Sequence, residues 1–418
     1  MSMIAYQEAI DKIQGAARKR PLQEEKVALL QAVGRILTED LLSPEDLPAK
    51  DNSAMDGFAV HSKTTLLASG ERSCLVPVLG YIAAGDEAPL TENSESGVYG
   101  IMTGALIPEM EFDAVVKIED VEVFSGGGRS FICIKAPVPQ GNNIRPRGSD
   151  IAKGVRILKK GHRLSPQDIM ALAALGLSEV SAYKKLKIGL ISTGKEIVPF
   201  ATKNLAPQQV RNSSAPFLNA YFSALGCEVD VFELSEDSPA RFQEKFTELT
   251  EEHYDVILTT GGVSMGNWDY VTDSLQELGV RTEFHKVAIR PGKPLLFGVH
   301  EKTGAAVFGL PGNPVSTAIG ASYFVTAYLQ ALRVEEPGEP LLLPLINSVK
   351  KPQGLRSFFK ARIENKNGSS GVRILQGQGS YMLHSLLEAN CWVVVSEEHE
   401  RLEEGARVEV YPWEGRSL

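Results

Sequence analysis

Between residues 186 and 332 the chain alternates short, continuous apolar runs with segments of helix length, and this alternation limits the fold more than any other feature. Residues 186–192 (LKIGLIS) end at Thr193-Gly194, residues 227–234 follow Gly226, and residues 254–260 (YDVILTT) end at Gly261-Gly262. Residues 294–299 and 305–310 are further apolar runs, the second leading into Pro311-Gly312-Asn313-Pro314. A strand without a polar face has to be buried on both sides. The intervening segments carry helix signals. Asn212 or Ser213 caps a helix that stops at Gly226, and Ser238-Pro239 opens another to about residue 252. A short helix over 269–278 is closed by Gly279, and 315–332 is long and apolar. Strands and helices in turn imply βαβ units and a largely parallel sheet with helices on both faces.

The flanks read differently. Residues 47–140 hold strand-like runs (LVPVLGYI, GVYGIM, DAVVKIEDVEVF and FICIKAPV) broken by glycine and proline, with Ser125-Gly126-Gly127-Gly128 as a hairpin tip. After a linker at 335–340 (EEPGEP), the runs LLLPLI, SFFKARIE, GVRIL, CWVVVS and RVEVYP predict a small barrel or sandwich. Helical pieces at 5–18 and 166–175 bracket the all-β stretch, the second capped by Ser165 and closed by Gly176. The expected division is a connecting domain from 1–46 with 142–181, a β-rich module at 47–141, an α/β domain at 182–332 and a β domain at 333–418.

Composition excludes several classes. At 418 residues the chain exceeds one ordinary domain. A net charge of −9 argues against nucleic acid as a partner, and no apolar run reaches the roughly 18 residues of a membrane span. The amino terminus lacks the layout of a secretory signal, and Cys74, Cys133, Cys227 and Cys391 form no CxxC pair. A cytoplasmic enzyme with free thiols is the expectation.

Chemistry concentrates where the α/β strands end, because ligands of such sheets bind outside the carboxyl ends of the strands. Four loops fall there: 193–196 (TGKE), 235–238 (SEDS), 261–266 (GGVSMG) and 311–314 (PGNP). Glycine lets peptide N–H groups approach an oxyanion closely. Arg290-Pro291-Gly292-Lys293-Pro294 adds two cations, and Glu196, Asp237 and Asp269 add carboxylates. Amides, cations and acids together suit a phosphoanhydride whose Mg²⁺ is held by the acids. Singly, each feature has a plainer reading: PGNP as a strand-to-helix turn, Glu196 and Asp269 as first-turn acids, Asp237 or Ser238 as a cap. No Gly-x-x-x-x-Gly-Lys-Ser/Thr is present, which excludes a P-loop nucleotidase.

Ser53-Ala54-Met55-Asp56-Gly57-Phe58-Ala59 resembles the S-A-M-D-G-[YF]-A signature of the molybdopterin molybdenumtransferases, the family of MoeA and of the carboxyl-terminal domain of gephyrin. The order of further motifs is similar across essentially the whole chain. It runs Met102-Thr103-Gly104-Ala105, Gly141-Asn142-Asn143-Ile144-Arg145, Gly148-Ser149-Asp150, the loops above, and Gln378-Gly379-Ser380. The resemblance implies an elongated protomer with a MogA-like three-layer α/β domain, a β-rich module, a small connecting helical domain and a C-terminal β-barrel. It also implies a homodimer in which the other protomer's β module completes the site, with transient contacts to the adenylyltransferase and to molybdoenzymes.

The implied reaction places molybdenum from molybdate on adenylated molybdopterin, with Mg²⁺-dependent cleavage of the adenylate and release of AMP. By position the resemblance assigns Asp56, Asp150, Glu196, Asp237 and Asp269 to catalysis, with Glu196, Asp237 and Asp269 on the metal. It assigns Thr103, Gly261, Gly262, Ser264, Lys286, Arg290, Lys293, Pro311, Gly312, Asn313 and Ser380 to ligand or molybdate. Lys195 stands where the family usually has an acid, Tyr381 where it often has glycine, and Lys360 where it commonly has arginine. Two other classes stand beside this one. A nucleotide-processing hydrolase sharing only the α/β domain would not need the SAMDGFA motif, and a noncatalytic scaffold would not need the acids.

Overall fold

The computed structural model describes residues 2–87, 97–108, 112–234, 238–262, 270–366 and 368–413. At its centre is a six-stranded sheet in the order Glu228–Glu233, Lys187–Ser192, Val256–Thr260, Ala306–Leu310, Leu296–His300 and Val280–His285. The first four strands are parallel, and Leu296–His300 runs against both of its neighbours. The largely parallel sheet is therefore present. Val280–His285 is a strand that the apolar-run criterion misses, because on this edge position Arg281 is exposed and Thr282 and Glu283 are half-buried.

Alternate residues of each strand feed opposite faces, as the two-residue period requires. Ile188, Leu190, Val256, Leu258 and Phe308 pack with Leu218 and Phe222 of helix Ser214–Ala224 and with Phe324 and Tyr328. Ile191, Ile257 and Val307 pack with Phe242, Phe246 and Leu249 of helix Pro239–Glu251 and with Val271 and Leu275 of helix Tyr270–Glu277. Both faces are thus sealed, giving three layers. Burying each large side chain contributes about 1.5–3 kcal/mol. The expected helix after PGNP is one helical run with a change of pitch: Pro314–Ile319, a π turn over Gly320–Val325, then Thr326–Leu332. Thr326 Oγ1 donates to Ala321 O at 2.9 Å, five residues back, and so satisfies a carbonyl in the widened turn.

The β-rich stretch is a six-stranded sheet in the order Ala114–Lys117, Gly57–Val60, Val98–Ile101, Cys74–Ile82, Arg129–Ile134 and Val121–Gly126. Gly126 pairs with Arg129, so Gly127 and Gly128 form the two-residue hairpin tip, with φ of +61° and +79°. Tight hairpins need two left-handed residues there, which glycine adopts without strain. Residues on both sides of this module meet beneath it: Glu24–Ala28 pairs with Glu179–Tyr183, and Val27, Leu29, Leu37, Leu164, Leu172 and Val180 share one core. Helix Tyr6–Ala17 packs elsewhere, placing Ala9, Ile10, Ile13 and Ala17 against Tyr328, Leu329 and Leu332 of the α/β unit.

The carboxyl-terminal strands Leu341–Pro344, Arg356–Lys366, Ser369–Ile374, Cys391–Val395 and Arg407–Pro412 match the five apolar runs read from the sequence. Their sheet recruits Ile289–Arg290 from the α/β unit as a strand parallel to Arg356–Lys366. No helix among the described residues is long and apolar enough to cross a membrane.

Candidate active site

Three glycine-bearing loops lie side by side because the strands that carry them are adjacent and in register: Ser192 pairs with Thr260, and Thr260 with Leu310. Thr193 N donates to Thr260 O at 3.1 Å, and Gly261 N donates to Leu310 O at 3.3 Å. Gly261 has φ +88°, and a Cβ on it would lie 2.8 Å from Thr193 O. Gly262 has φ +62°, and a Cβ there would lie 2.5 Å from Val271 Cγ2. A Cβ on Gly312 would stand 3.7 Å from Gly261 Cα. The loops thus meet backbone to backbone, as a wall of peptide groups in which a side chain at Gly261 would push neighbouring loops apart.

Directly beneath runs a polar chain whose Ser192, Asn212 and Thr260 are buried and whose Glu233 is exposed. Asn212 Nδ2 donates to Ser192 Oγ at 3.0 Å and to Glu233 Oε1 at 2.9 Å, and Thr260 Oγ1 donates to Ser192 Oγ at 3.1 Å. Asn212 Oδ1 also accepts from Ala215 N at 3.1 Å, so the expected helix cap is real. Sequence reasoning saw only that cap and missed that Asn212 ties strands Lys187–Ser192 and Glu228–Glu233 together. The one available signal was an asparagine between an apolar strand end and a helix start.

Lys286, Arg290 and Lys293 all sit on the connection between strands Val280–His285 and Leu296–His300. Arg290 and Lys293 are exposed, and neither makes an ion pair among the described residues. The turn at Gly292 lies against the first turn of the helix at Pro314–Ile319: a Cβ on Gly292 would be 3.7 Å from Ser316 O. The same helix start receives Ser380, whose carbonyl accepts from Val315 N at 3.0 Å. Pro311, Gly312, Asn313, Arg290, Lys293 and Ser380 are therefore gathered at one end of the α/β unit.

The acids divide into three groups. Asp56 Oδ1 accepts from Thr103 N at 2.7 Å and from Thr103 Oγ1 at 2.9 Å, and these bonds hold its carboxyl below the usual range. Asp150 is exposed, and its N–H donates to Leu47 O at 3.1 Å. Among the described residues, the hydrogen bonds of Asp56, Thr103 and Asp150 stay within the β module and its stem, and none joins them to the glycine wall. Glu196 does lie there: its carboxylate oxygens are 3.1 and 3.2 Å from where a Cβ on Gly194 would be. It is exposed and makes no ion pair among the described residues. Asp237, Ser264 and Asp269 lie outside the described residues, and no cluster of three metal-ligating side chains occurs among those described.

Residues 4–176 match the MoeA N-terminal region (domains I and II), residues 189–331 a probable molybdopterin binding domain, and residues 343–413 the MoeA C-terminal region (domain IV). The molybdopterin molybdenumtransferase of Synechococcus elongatus is 41% identical over 408 residues, covering 98% of this chain and 99% of that protein. The chain belongs to the MoeA family of molybdopterin molybdenumtransferases. Within this transferase family of molybdenum cofactor biosynthesis, the Haemophilus influenzae protein is 34% identical over 398 residues, covering 94% of this chain and 95% of its own. Among solved structures, the molybdopterin biosynthesis moeA protein of Pyrococcus horikoshii OT3 aligns with TM-score 0.83 at 27% identity, over 99% of this chain and 100% of that one. The MoeA-family resemblance stated from the motifs thus holds along the whole chain.

Proposed function

We propose that this protein inserts molybdenum from molybdate into adenylated molybdopterin, cleaving the adenylate and releasing AMP and the molybdenum cofactor. The observation that carries the reading is the pairing of a glycine-only peptide wall, Gly261 with Gly312, with two exposed cations that have no carboxylate partner among the described residues, Arg290 and Lys293. A phosphoanhydride and a tetrahedral oxyanion both need such donors, because fixed dipoles and charges stabilise an anion without reorganising. In this reading Thr103, Gly261, Gly262, Ser264, Lys286, Arg290, Lys293, Pro311, Gly312, Asn313 and Ser380 contact the ligand or molybdate. Asp56, Asp150, Glu196, Asp237 and Asp269 serve the cleavage.

Mg²⁺ fits the chemistry of the donor set, since Glu196 offers an exposed carboxylate with no ion pair among the described residues, a hard oxygen ligand. Glu196, Asp237 and Asp269 would hold it. When bound, it neutralises charge that develops on the phosphate as the anhydride breaks. Arg290 and Lys293 grip the anionic ligand, and the wall at Gly261 and Gly312 orients it by close backbone contact. We further propose a cytoplasmic homodimer whose second protomer supplies Asp56 and Asp150, which this protomer keeps in its own β module. The carboxyl-terminal unit is proposed to be a closed barrel, consistent with the bridge between Leu345 and Val372 at its open side. The testing experiment is AMP release from adenylated molybdopterin with Mg²⁺, with and without molybdate. Release that molybdate stimulates supports the reading, and a folded protein that releases none refutes it.

A further inference from the structure

Lys360 is fully buried on strand Arg356–Lys366, yet its ammonium meets no carboxylate among the described residues. Its three protons go instead to three carbonyls of one loop: Gly377 O at 2.7 Å, Met382 O at 2.8 Å and Gly379 O at 3.3 Å. The same loop is pinned by Gln378, whose Oε1 accepts from Lys360 N at 3.0 Å and whose Nε2 donates to Lys360 O at 2.9 Å. Ser385 Oγ adds a bond to Gly377 O at 2.7 Å.

An ammonium with three protons on three carbonyls has no donor left for a ligand. Burying an uncompensated cation is costly, and burial does lower the affinity of Lys360 for its proton. An apolar side chain would fill this space more cheaply, so the charge needs a reason. The geometry supplies one. In a trans peptide the C=O and N–H point in opposite directions, so the Gly379–Ser380 peptide, with its oxygen on the ammonium, turns the Ser380 N–H away from it. That N–H has no hydrogen-bond partner among the described residues, and neither has Ser380 Oγ. A cation on the oxygen of a peptide also polarises its N–H. The Ser380 carbonyl is fixed to the start of the helix at Pro314 through Val315 N.

We infer that Lys360 is a positioning residue that fixes and polarises the 377–382 loop, so that Ser380 offers two donors to a tetrahedral oxyanion. The inference rests on the reading of Ser380 as an oxyanion contact. It differs from a direct role for the cation: Lys360 acts on the anion through the Gly379–Ser380 peptide.

The test measures molybdate affinity by calorimetry and amide exchange by mass spectrometry for wild type, K360M, S380A and the double variant. K360M is expected to speed exchange across 377–382 and to weaken molybdate about tenfold or more. In the S380A background, which removes Oγ but keeps the Ser380 N–H, part of that loss should vanish and part remain, since the loop places both donors. Faster exchange with unchanged affinity, or losses that simply add, would make Lys360 a structural tie only and overturn the inference. Should K360M fail to fold, wild type decides: molybdate must slow exchange across 378–383, and unaltered exchange there overturns it. Absence of AMP release with molybdate binding intact would defeat the proposed reaction and leave the role of Lys360 standing.

Discussion

Replacing Gly261 by alanine tests whether the site is a backbone-lined wall. The substitution adds one methyl group where φ is +88° and where the new Cβ would stand 2.8 Å from Thr193 O and 3.1 Å from Thr193 Oγ1. Holding an L residue in left-handed backbone costs roughly 1–2 kcal/mol. Forcing a methyl against a neighbour that cannot yield adds about 1–3 kcal/mol. The Thr193 carbonyl is part of the backbone, and Thr193 N is bonded to Thr260, so relief requires the two loops to separate. The expected loss is therefore about 2–5 kcal/mol, read as a lower midpoint in urea by circular dichroism. Gly312→Ala is the control. Its Cβ would rest 3.7 Å from Gly261 Cα, an ordinary contact, and its φ lies outside the left-handed range. That variant should stay within about 1 kcal/mol of wild type while narrowing the ligand wall. A Gly261→Ala protein as stable as wild type, or a Gly312→Ala protein equally damaged, would refute the reasoning.

Three other substitutions follow from the same geometry. Lys293→Ala removes an exposed cation with no ion pair among the described residues, so ligand affinity should fall roughly ten- to a hundredfold with the unfolding midpoint unchanged; equal affinity in a binding titration removes Lys293 from the site. Asn212→Ala leaves Ser192 Oγ and Glu233 without their shared donor and Ala215 N without its cap, which should cost about 2–4 kcal/mol in denaturant, and a loss below 1 kcal/mol contradicts the strand-tying role. Thr103→Val removes one of the bonds that depress Asp56, so its titration, followed by NMR, should move up toward the ordinary 3.8. Because the folded carboxyl lies below its unfolded value, its contribution to stability is present above the unfolded value and fades as pH falls through the folded one; Thr103→Val should shrink that acid-side loss, and an unmoved titration would show that the backbone N–H of Thr103 alone sets it.

The α/β core was legible because its strands are apolar on both faces, and periodicity finds such strands directly. Val280–His285 escaped for the opposite reason, since an edge strand with Arg281 and Glu283 on it looks like loop. The turn glycines could be read as a group, but which of them bear strain could not: Gly261 and Gly312 look alike in sequence, and only the register of three strands makes one intolerant of a methyl. Lys360 was visible only as a lysine where the resembled family commonly has arginine. Its function depends on a loop that returns to it after a strand and a hairpin, a long-range closure that no local pattern encodes. Asp56 and Thr103 lie far apart in the chain and were each expected in the site, while their mutual bond became visible only in the fold.

The central claim is that this chain cleaves adenylated molybdopterin while molybdenum is inserted. The most direct measurement is molybdate-stimulated AMP release by the purified protein with Mg²⁺, beside Asp269→Asn. The account predicts AMP release that yields active cofactor in wild type and is lost in the variant. AMP release equal in both proteins, or none from a folded wild type that binds the adenylate, would contradict it.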